Sequence, residues 1–157
     1  MFRSVILVLA IFAVSISATN VRKCSKNRPE PLSVIIEGCE TMPCDVIKGT
    51  TAIMNAQFVG THDGIKSMTT EVRATVLGLT VPYILPDEVA SVCTNLLDGA
   101  SCPIDEGEDV TYSFKFPIDN SYPEISVKVE VSLVENETSE SIACFVADIK
   151  VKKGQSG

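Results

Sequence analysis

The amino-acid sequence predicts an all-β fold, a sandwich of two sheets cross-linked by disulfide bonds. Several short segments alternate apolar and polar residues, which is the pattern of strands with one buried face. Clusters of turn residues separate these segments at regular intervals. Six cysteines follow an N-terminal segment typical of exported proteins. Export places them in an oxidising compartment, where cysteines pair.

Residues 1–18 have the features of a secretory signal peptide. One positive charge, Arg3, precedes an apolar run over 5–14, and small residues follow. We expect cleavage near Ser17 or Ala18. The apolar run has about ten residues, too few to span a bilayer core of roughly 30 Å, so the exported chain is expected to be soluble. Residues 19–157 then form one domain, a length that supports a single sizeable core.

Six segments have strand character. The clearest is 125–133, where Ile, Val or Leu occupies every second position. The predicted strands are 33–37, 51–59, 71–77, 109–116, 125–133 and 142–151. Polar turns separate them at 61–64, 98–99, 105–108 and 135–138. A helical turn is expected within 87–97. Short alternating strands with few helical stretches indicate two antiparallel sheets packed as a sandwich.

Six cysteines permit fifteen pairing schemes, and the sequence alone does not choose among them. Proximity along the chain favours two local bonds, which leaves the first cysteine with the last. The pairs are then Cys39 with Cys44, Cys93 with Cys102, and Cys24 with Cys144. The last bond would close the longest loop and restrict the unfolded chain most.

The exported chain is acidic. Without Arg3 it carries 12 basic and 20 acidic side chains, a net charge of −8. Such a surface argues against binding to nucleic acid and against electrostatic attachment to anionic membranes.

Neither an enzyme, a metal site nor a cofactor is expected. His62 is the one histidine and lies in the polar turn Thr61-His62-Asp63-Gly64, with no nucleophile motif nearby. The cysteine spacings do not match those of a zinc site. Asp and Glu fall in loops or at the polar positions of strands, as expected of a solvated surface. Asn136-Glu137-Thr138 is a glycosylation sequon in a polar turn.

Two proline-flanked apolar stretches, 81–86 and 116–123, are predicted to be loops rather than strands. They either pack on the domain or form the mouth of a pocket, with the hydroxyls of Tyr83 and Tyr122 at its lip. The inward residues of 125–133 are of medium size, and the chain has no tryptophan. That pattern favours an ordinary core and leaves open a gap for a guest.

Short motifs spread along the chain resemble those of Niemann–Pick type C2 proteins. That family belongs to the ML lipid-recognition domains, which include the group two mite allergens, and the similarity extends from Cys24 to Val151. Each motif is short, and their order together with the six cysteines carries the resemblance. The motifs are Cys39-x4-Cys44, Lys48-Gly49, Val81-Pro82-Tyr83, Cys102-Pro103-Ile104, Thr111-Tyr112-Ser113-Phe114, Pro117-Ile118, Tyr122-Pro123-Glu124-Ile125 and Cys144.

The resemblance implies an immunoglobulin-like β-sandwich whose sheets are splayed around a hydrophobic cavity. It implies the same three disulfides, Cys24–Cys144, Cys39–Cys44 and Cys93–Cys102. Three residues would gate the mouth of the cavity: Tyr83, Ile118 and Tyr122. The cavity wall would comprise Phe114, Phe116, Ile125, Val127, Val129, Val131 and Phe145.

The resemblance further implies a secreted carrier of a sterol, a fatty acid or a related lipid, acting without catalysis or cofactor. The expected partners are that hydrophobic ligand and a membrane lipid-transfer receptor. The protein is expected to be a monomer that is extracellular or in the endolysosomal lumen, without stable membrane insertion. An innate-immune module that recognises microbial lipid or a receptor is the alternative.

The chain departs from the family pattern in four places, and the last three concern the ligand. Ser25 stands where a glycine often follows the first cysteine. The loop after Tyr83 and the interval from Cys93 to Cys102 look longer than in the vertebrate sterol carrier. Val131 and Phe145 stand where the vertebrate carriers have tryptophans, which implies a roomier or differently shaped tunnel.

Overall fold

The computed structural model describes residues 17–154, so the predicted signal peptide lies outside the described residues except for Ser17 and Ala18. Nine strands and two short helical turns make up the fold. In chain order the strands are β1 (Arg22–Lys23), β2 (Ser33–Ile36), β3 (Cys44–Ile47), β4 (Thr51–Val59), β5 (Met68–Val76), β6 (Leu79–Tyr83), β7 (Asp109–Pro117), β8 (Ser126–Glu135) and β9 (Ser141–Lys152). The helical turns are α1 (Asp87–Ala90) and a 3-10 turn (Cys93–Asn95), which confirms the turn predicted within 87–97.

The strands form two sheets of unequal width. The larger sheet has six strands in the order β1-β9-β8-β5-β6, and β3 also pairs with β9. The smaller sheet has three strands in the order β2-β4-β7. All pairings are antiparallel except that of β3 with β9, which is parallel. The all-β sandwich is confirmed, and the prediction of purely antiparallel sheets needs that one correction.

The six predicted strands are present as β2, β4, β5, β7, β8 and β9. Three further strands escaped the sequence analysis: β1, β3 and β6. The prediction that 81–86 is a loop is wrong for its first half, because Leu79–Tyr83 pairs with β5 over five residues. Each missed strand is short and lies at a sheet edge, where a proline such as Pro82 is tolerated.

Large side chains fill one end of the sandwich. Phe58, Phe145 and Leu133 are each no more than 1% exposed. Tyr112 is fully buried among them, and its hydroxyl lies 2.7 Å from Thr70 Oγ1 and donates to the carbonyl of Val89. Burial raises the pKa of Tyr112 to about 12, so this hydroxyl stays protonated and tied to both neighbours.

Three disulfide bonds join the cysteines in the pattern favoured by proximity and by the resemblance. Cys24 bonds to Cys144, which fixes the segment before β2 onto the outer side of β9. The two local bonds close loops at Cys39–Cys44 and Cys93–Cys102. Among residues 17–154 no helix is long and apolar enough to cross a membrane.

A buried carboxylate fastens the filled end of the sandwich. The Glu135 side chain, at the end of β8, is only 2% exposed and lies 3.2 Å from His62 Nε2. The Thr138 hydroxyl donates to the same carboxylate oxygen. That hydrogen bond, with a smaller contribution from His62 and against the opposing effect of burial, holds the pKa of Glu135 below its usual value. His62 is thus held by Glu135 at the filled end of the sandwich.

Replacing Glu135 by Gln is expected to remove part of the acid sensitivity of folding. A lowered folded-state pKa means that the unfolded chain takes up the proton first as the pH falls through about 4.3. The stabilisation from Glu135 is therefore complete above that range and is lost below it. Thermal unfolding at about pH 6 and about pH 3.5 should show the wild type losing more stability than the variant.

The control for that comparison is Glu137→Gln, because the Glu137 carboxylate is on the same turn but its side chain is 56% exposed. Glu137→Gln should lose as much thermal stability as the wild type between the two pH values. If the difference in thermal stability between wild type and Glu135→Gln is the same at both pH values, the lowered pKa of Glu135 is contradicted.

Candidate functional site

A cavity of about 330 Å³ lies between the two sheets at the end away from Glu135. Apart from the hydroxyls of two tyrosines at one side, the side chains that line it are hydrocarbon or thioether. The lining residues are Ile36, Val46, Ala52, Met54, Val72, Ala74, Val76, Tyr83, Phe114, Phe116, Ile118, Tyr122, Pro123, Ile125, Val127, Val129, Val131, Ala147, Ile149 and Val151.

The cavity exists because the inward side chains of the larger sheet become small toward this end. Strands place every second residue on one face, and here those residues are valine, alanine and isoleucine. On β5 they are Val72, Ala74 and Val76, on β8 Val127, Val129 and Val131, and on β9 Ala147, Ile149 and Val151. Two packed sheets lie about 10 Å apart, a gap that these side chains do not fill.

Aromatic rings form the wall on the smaller sheet. Phe114 and Phe116 on β7 stack with their ring centres 5.9 Å apart. Tyr83 reaches across from β6 of the larger sheet and meets Phe116 edge to face at 5.2 Å. Because β6 and β7 are the edge strands of their respective sheets, Tyr83 closes the side of the sandwich.

The two tyrosine hydroxyls meet at the mouth. Tyr83 and Tyr122 hydrogen-bond to each other through their hydroxyls, and their rings lie edge to face at 6.5 Å. Burial, followed by the hydrogen bond with Tyr83, raises the pKa of Tyr122 to about 12. One hydroxyl donates to the other, so each can accept a hydrogen bond from a polar head group and one O–H is left to donate to it.

Ile118 is a buried residue of the cavity lining, four positions before Tyr122. It is 6% exposed and packs with Val46 and Val151, and its backbone N–H donates to the carbonyl of Thr50. Glu124 follows the lining residue Pro123 and forms a loose ion pair, with its Oε1 3.9 Å from Lys48 Nζ. The apolar interior therefore has charge only outside its entrance.

The structure brings together nine of the ten residues predicted to gate or line the cavity. Phe145 is the exception. It is 1% exposed and fills the core opposite Val131 on the neighbouring strand, one inward position beyond Ala147, which does line the cavity. Its ring therefore belongs to the packed end of the sandwich, below the floor of the cavity.

Eleven lining residues were not predicted from the sequence. Period-two alternation could have found six of them, since Val72, Ala74 and Val76 share one face of β5 and Ala147, Ile149 and Val151 share one face of β9. Of the other five, Ala52 and Met54 share the inward face of β4, Ile36 and Val46 lie on strands of only four residues, and Pro123 lies outside the strands.

Two other predicted features lie away from the cavity. Asn136 is exposed in the turn between β8 and β9, where its side-chain oxygen accepts a hydrogen bond from Thr69 Oγ1. Its glycosylation stays a prediction. Cys24, Glu130 and Cys144 are close enough together to suggest metal ligands, but both sulfurs are in a disulfide and so cannot act as thiolates.

Comparisons with known proteins point to one family. The family model for the ML domain matches residues 18–151. NPC intracellular cholesterol transporter 2 homolog a of Drosophila melanogaster is 27% identical over 154 residues, which cover 97% of this chain and all of that protein. NPC intracellular cholesterol transporter 2 of Bos taurus is 29% identical over 119 residues, 76% of this chain and 75% of that one.

A solved structure shares the fold. The crystal structure of a Niemann-Pick type C2 protein from the Japanese carpenter ant superposes with a TM-score of 0.73 at 20% sequence identity, covering 85% of this chain and 99% of the other. The resemblance found in the sequence motifs is confirmed. This chain belongs to the ML domain family and is similar throughout to its Niemann–Pick type C2 members.

Proposed function

We propose that this protein binds a lipid between its two sheets and carries it through water. The observation that supports this most strongly is the cavity, which has an apolar interior and hydroxyls only at its mouth. Burying a hydrocarbon chain yields roughly 0.8 kcal/mol for each CH₂ group removed from water. An apolar lining therefore supplies affinity without ion pairs, and Tyr83 and Tyr122 would meet the polar end of the ligand.

The ligand class is a sterol, a fatty acid or a related lipid with one polar end. No lining residue is charged, so a neutral head or a carboxylate left in water suits the site better than a buried anion. The relatives named as cholesterol transporters support the sterol. Transport rather than catalysis fits a cavity without a nucleophile, acid or base in its wall.

The same proposal places the carrier outside the cell or in the endolysosomal lumen. The N-terminal segment with the features of a signal peptide and the three disulfides support export. Transfer to or from a membrane receptor and glycosylation of Asn136 belong to this proposal and await their own tests.

Native mass spectrometry of protein from an exporting eukaryotic host tests the proposal. We expect a fraction of the molecules to carry a hydrophobic adduct that organic solvent extracts. Val129→Phe is the matched variant, because Val129 lines the cavity and a ring would occupy the empty space without displacing packed neighbours. The variant should fold and lose most of the adduct.

Purified protein without extractable lipid, which also fails to bind fluorescent sterol and fatty-acid probes, would refute the carrier function. An adduct retained in full by Val129→Phe would place the ligand elsewhere on the molecule.

A further inference from the structure

Within the described residues, the edge strand β6 carries an apolar row that is largely exposed, with packing across to Phe116 of the smaller sheet at its Tyr83 end. Leu79, Val81 and Tyr83 are 69%, 46% and 36% exposed. They alternate with Thr80 and Pro82, so the three share one face of the strand. We name this row the β6 strip. Apolar residues this exposed at successive positions of one face differ from the scattered single ones normal on protein surfaces.

The β6 strip continues the cavity wall. Directly paired residues of antiparallel strands point to the same face, and here each strip residue is paired with a cavity residue of β5. Leu79 lies opposite Val76, Val81 opposite Ala74, and Tyr83 opposite Val72; the list of cavity-lining residues includes all three β5 partners. The apolar surface therefore runs sideways from the cavity to the outside without a polar break.

The strip is uncovered because the sheets differ in width. The larger sheet has six strands and the smaller three, so β6 overhangs. Its opposite face carries Pro82 and Thr80, whose hydroxyl lies 2.8 Å from that of Thr75. Residues 74–86 include no charged side chain, although 33 of the 157 residues are charged. The overhanging part of β6 is therefore uncharged, like the lining of the cavity.

We propose that the β6 strip is an outer annex of the ligand site, occupied by the part of a ligand chain that the cavity does not enclose. This inference rests on the proposed function and narrows its ligand to single-chain lipids longer than the cavity. The strip spans about 13 Å along the strand, from the usual rise of about 3.3 Å per residue. It is one side chain wide, the dimensions of an extended alkyl chain.

Two features favour a ligand chain over other occupants. Pro82 lacks an N–H, so the free edge of β6 offers an interrupted ladder to a strand of another protein. The cavity of about 330 Å³ is near the lower limit for small-molecule sites, roughly 300 Å³. A chain longer than the cavity leaves some of its carbons outside the mouth, and the strip would cover those carbons.

The test is a chain-length series. Unbranched primary alcohols of about ten to about twenty-two carbons compete with a fluorescent probe, N-phenyl-naphthylamine, for the purified protein. Each methylene that leaves water completely raises affinity about fourfold. A methylene that lies on an open surface is only half removed from water and raises affinity about twofold. For the wild type we expect affinity to keep rising, less steeply, beyond the length that fills the cavity.

Leu79→Thr combined with Val81→Thr puts hydroxyls on the strip while keeping residues that suit a strand. This variant should bind an alcohol of about ten carbons within about twofold of the wild type. It should bind one of about twenty carbons roughly tenfold more weakly. Thr80→Val changes the opposite face of the same strand and should match the wild type at every length.

Equal weakening at all lengths, or no weakening of the longest alcohols, would overturn the annex. Unchanged alcohol binding with loss of attachment to phosphatidylcholine vesicles would overturn it as well, and would assign the strip to a bilayer. If the wild type binds the fluorescent sterol or fatty-acid probes but no alcohol, the annex alone is overturned. If it binds none of these, the proposed function itself fails, so the two failures are distinguishable.

Discussion

Lipid binding is expected to be abolished when Ile118 is replaced by Asp together with Tyr122 by Ala. Ile118 is 6% exposed and lines the cavity next to its mouth. A carboxyl group there either ionises and draws water into the cavity, or stays protonated as an unfavourable polar group in apolar surroundings. Removing the Tyr122 ring also deprives Tyr83 of its partner across the mouth. We expect affinity for fluorescent sterol and fatty-acid probes to fall at least about a hundredfold, since each 1.4 kcal/mol is a tenfold change.

The control is Asp119→Ala, adjacent in sequence, whose exposed carboxylate accepts a hydrogen bond from the Ser121 N–H outside the cavity. It should bind both probes like the wild type. Far-ultraviolet circular dichroism and intact disulfides must be shared by all three proteins, so that lost binding is not lost folding. If the folded double variant keeps wild-type affinity, the mouth has been placed wrongly.

Loss of the Cys24–Cys144 bond is expected to destabilise the fold more than loss of either local bond. The two cysteines are 120 residues apart in sequence, and the chain-entropy model gives about 4–5 kcal/mol for a loop of that length. The bond of Cys39 with Cys44 spans only 5 residues, for which the same model gives about 2 kcal/mol. A difference of about 2–3 kcal/mol should separate the two paired-serine variants.

Urea unfolding measures this directly, through the free energy of unfolding extrapolated to water. The variant lacking Cys93 and Cys102, 9 residues apart, should rank close to the other local one. Equal destabilisation by all three removals would show that local packing around the sulfurs, rather than restriction of the unfolded chain, sets the cost. The slope against urea is compared as well, because a compact denatured state would change it.

Strand prediction succeeded where one face of a strand is buried along its whole length. In β8 every second residue from Val127 to Leu133 is apolar and faces inward, so the period of two is plain in the sequence. β3 and β6 lack that signal for different physical reasons. β3 has four residues like β2, but it begins with Cys-Asp where β2 has three successive β-branched residues. All of β6 is exposed, with a proline inside it. An edge strand forms because it hydrogen-bonds to a neighbouring strand, and the residue pattern of the edge strand alone does not reveal that pairing.

Site prediction had a different limit. Tyr83, Ile118 and Tyr122 were predicted at the mouth from motifs shared with a family, and the structure places all three in the lining of one cavity. Phe145 was assigned to the wall on the same grounds but lies in the packed core. The alternation of β9 gives Phe145 and Ala147 the same inward direction. Whether such an inward position lies in the packed core or lines the cavity depends on how far along the strand the space between the two sheets becomes empty.

The sequence by itself determined the sandwich class, the disulfide-linked and acidic character of the chain, and the family. These properties rest on periodicity, composition and motif order, each of which is recorded locally along the chain. The tertiary structure alone decided that the small residues of β5, β8 and β9 line an open cavity, and that β6 extends it sideways. Whether valine and alanine fill a core or leave a gap depends on the distance between two sheets and on their relative widths. Both are set by pairings between strands far apart in sequence.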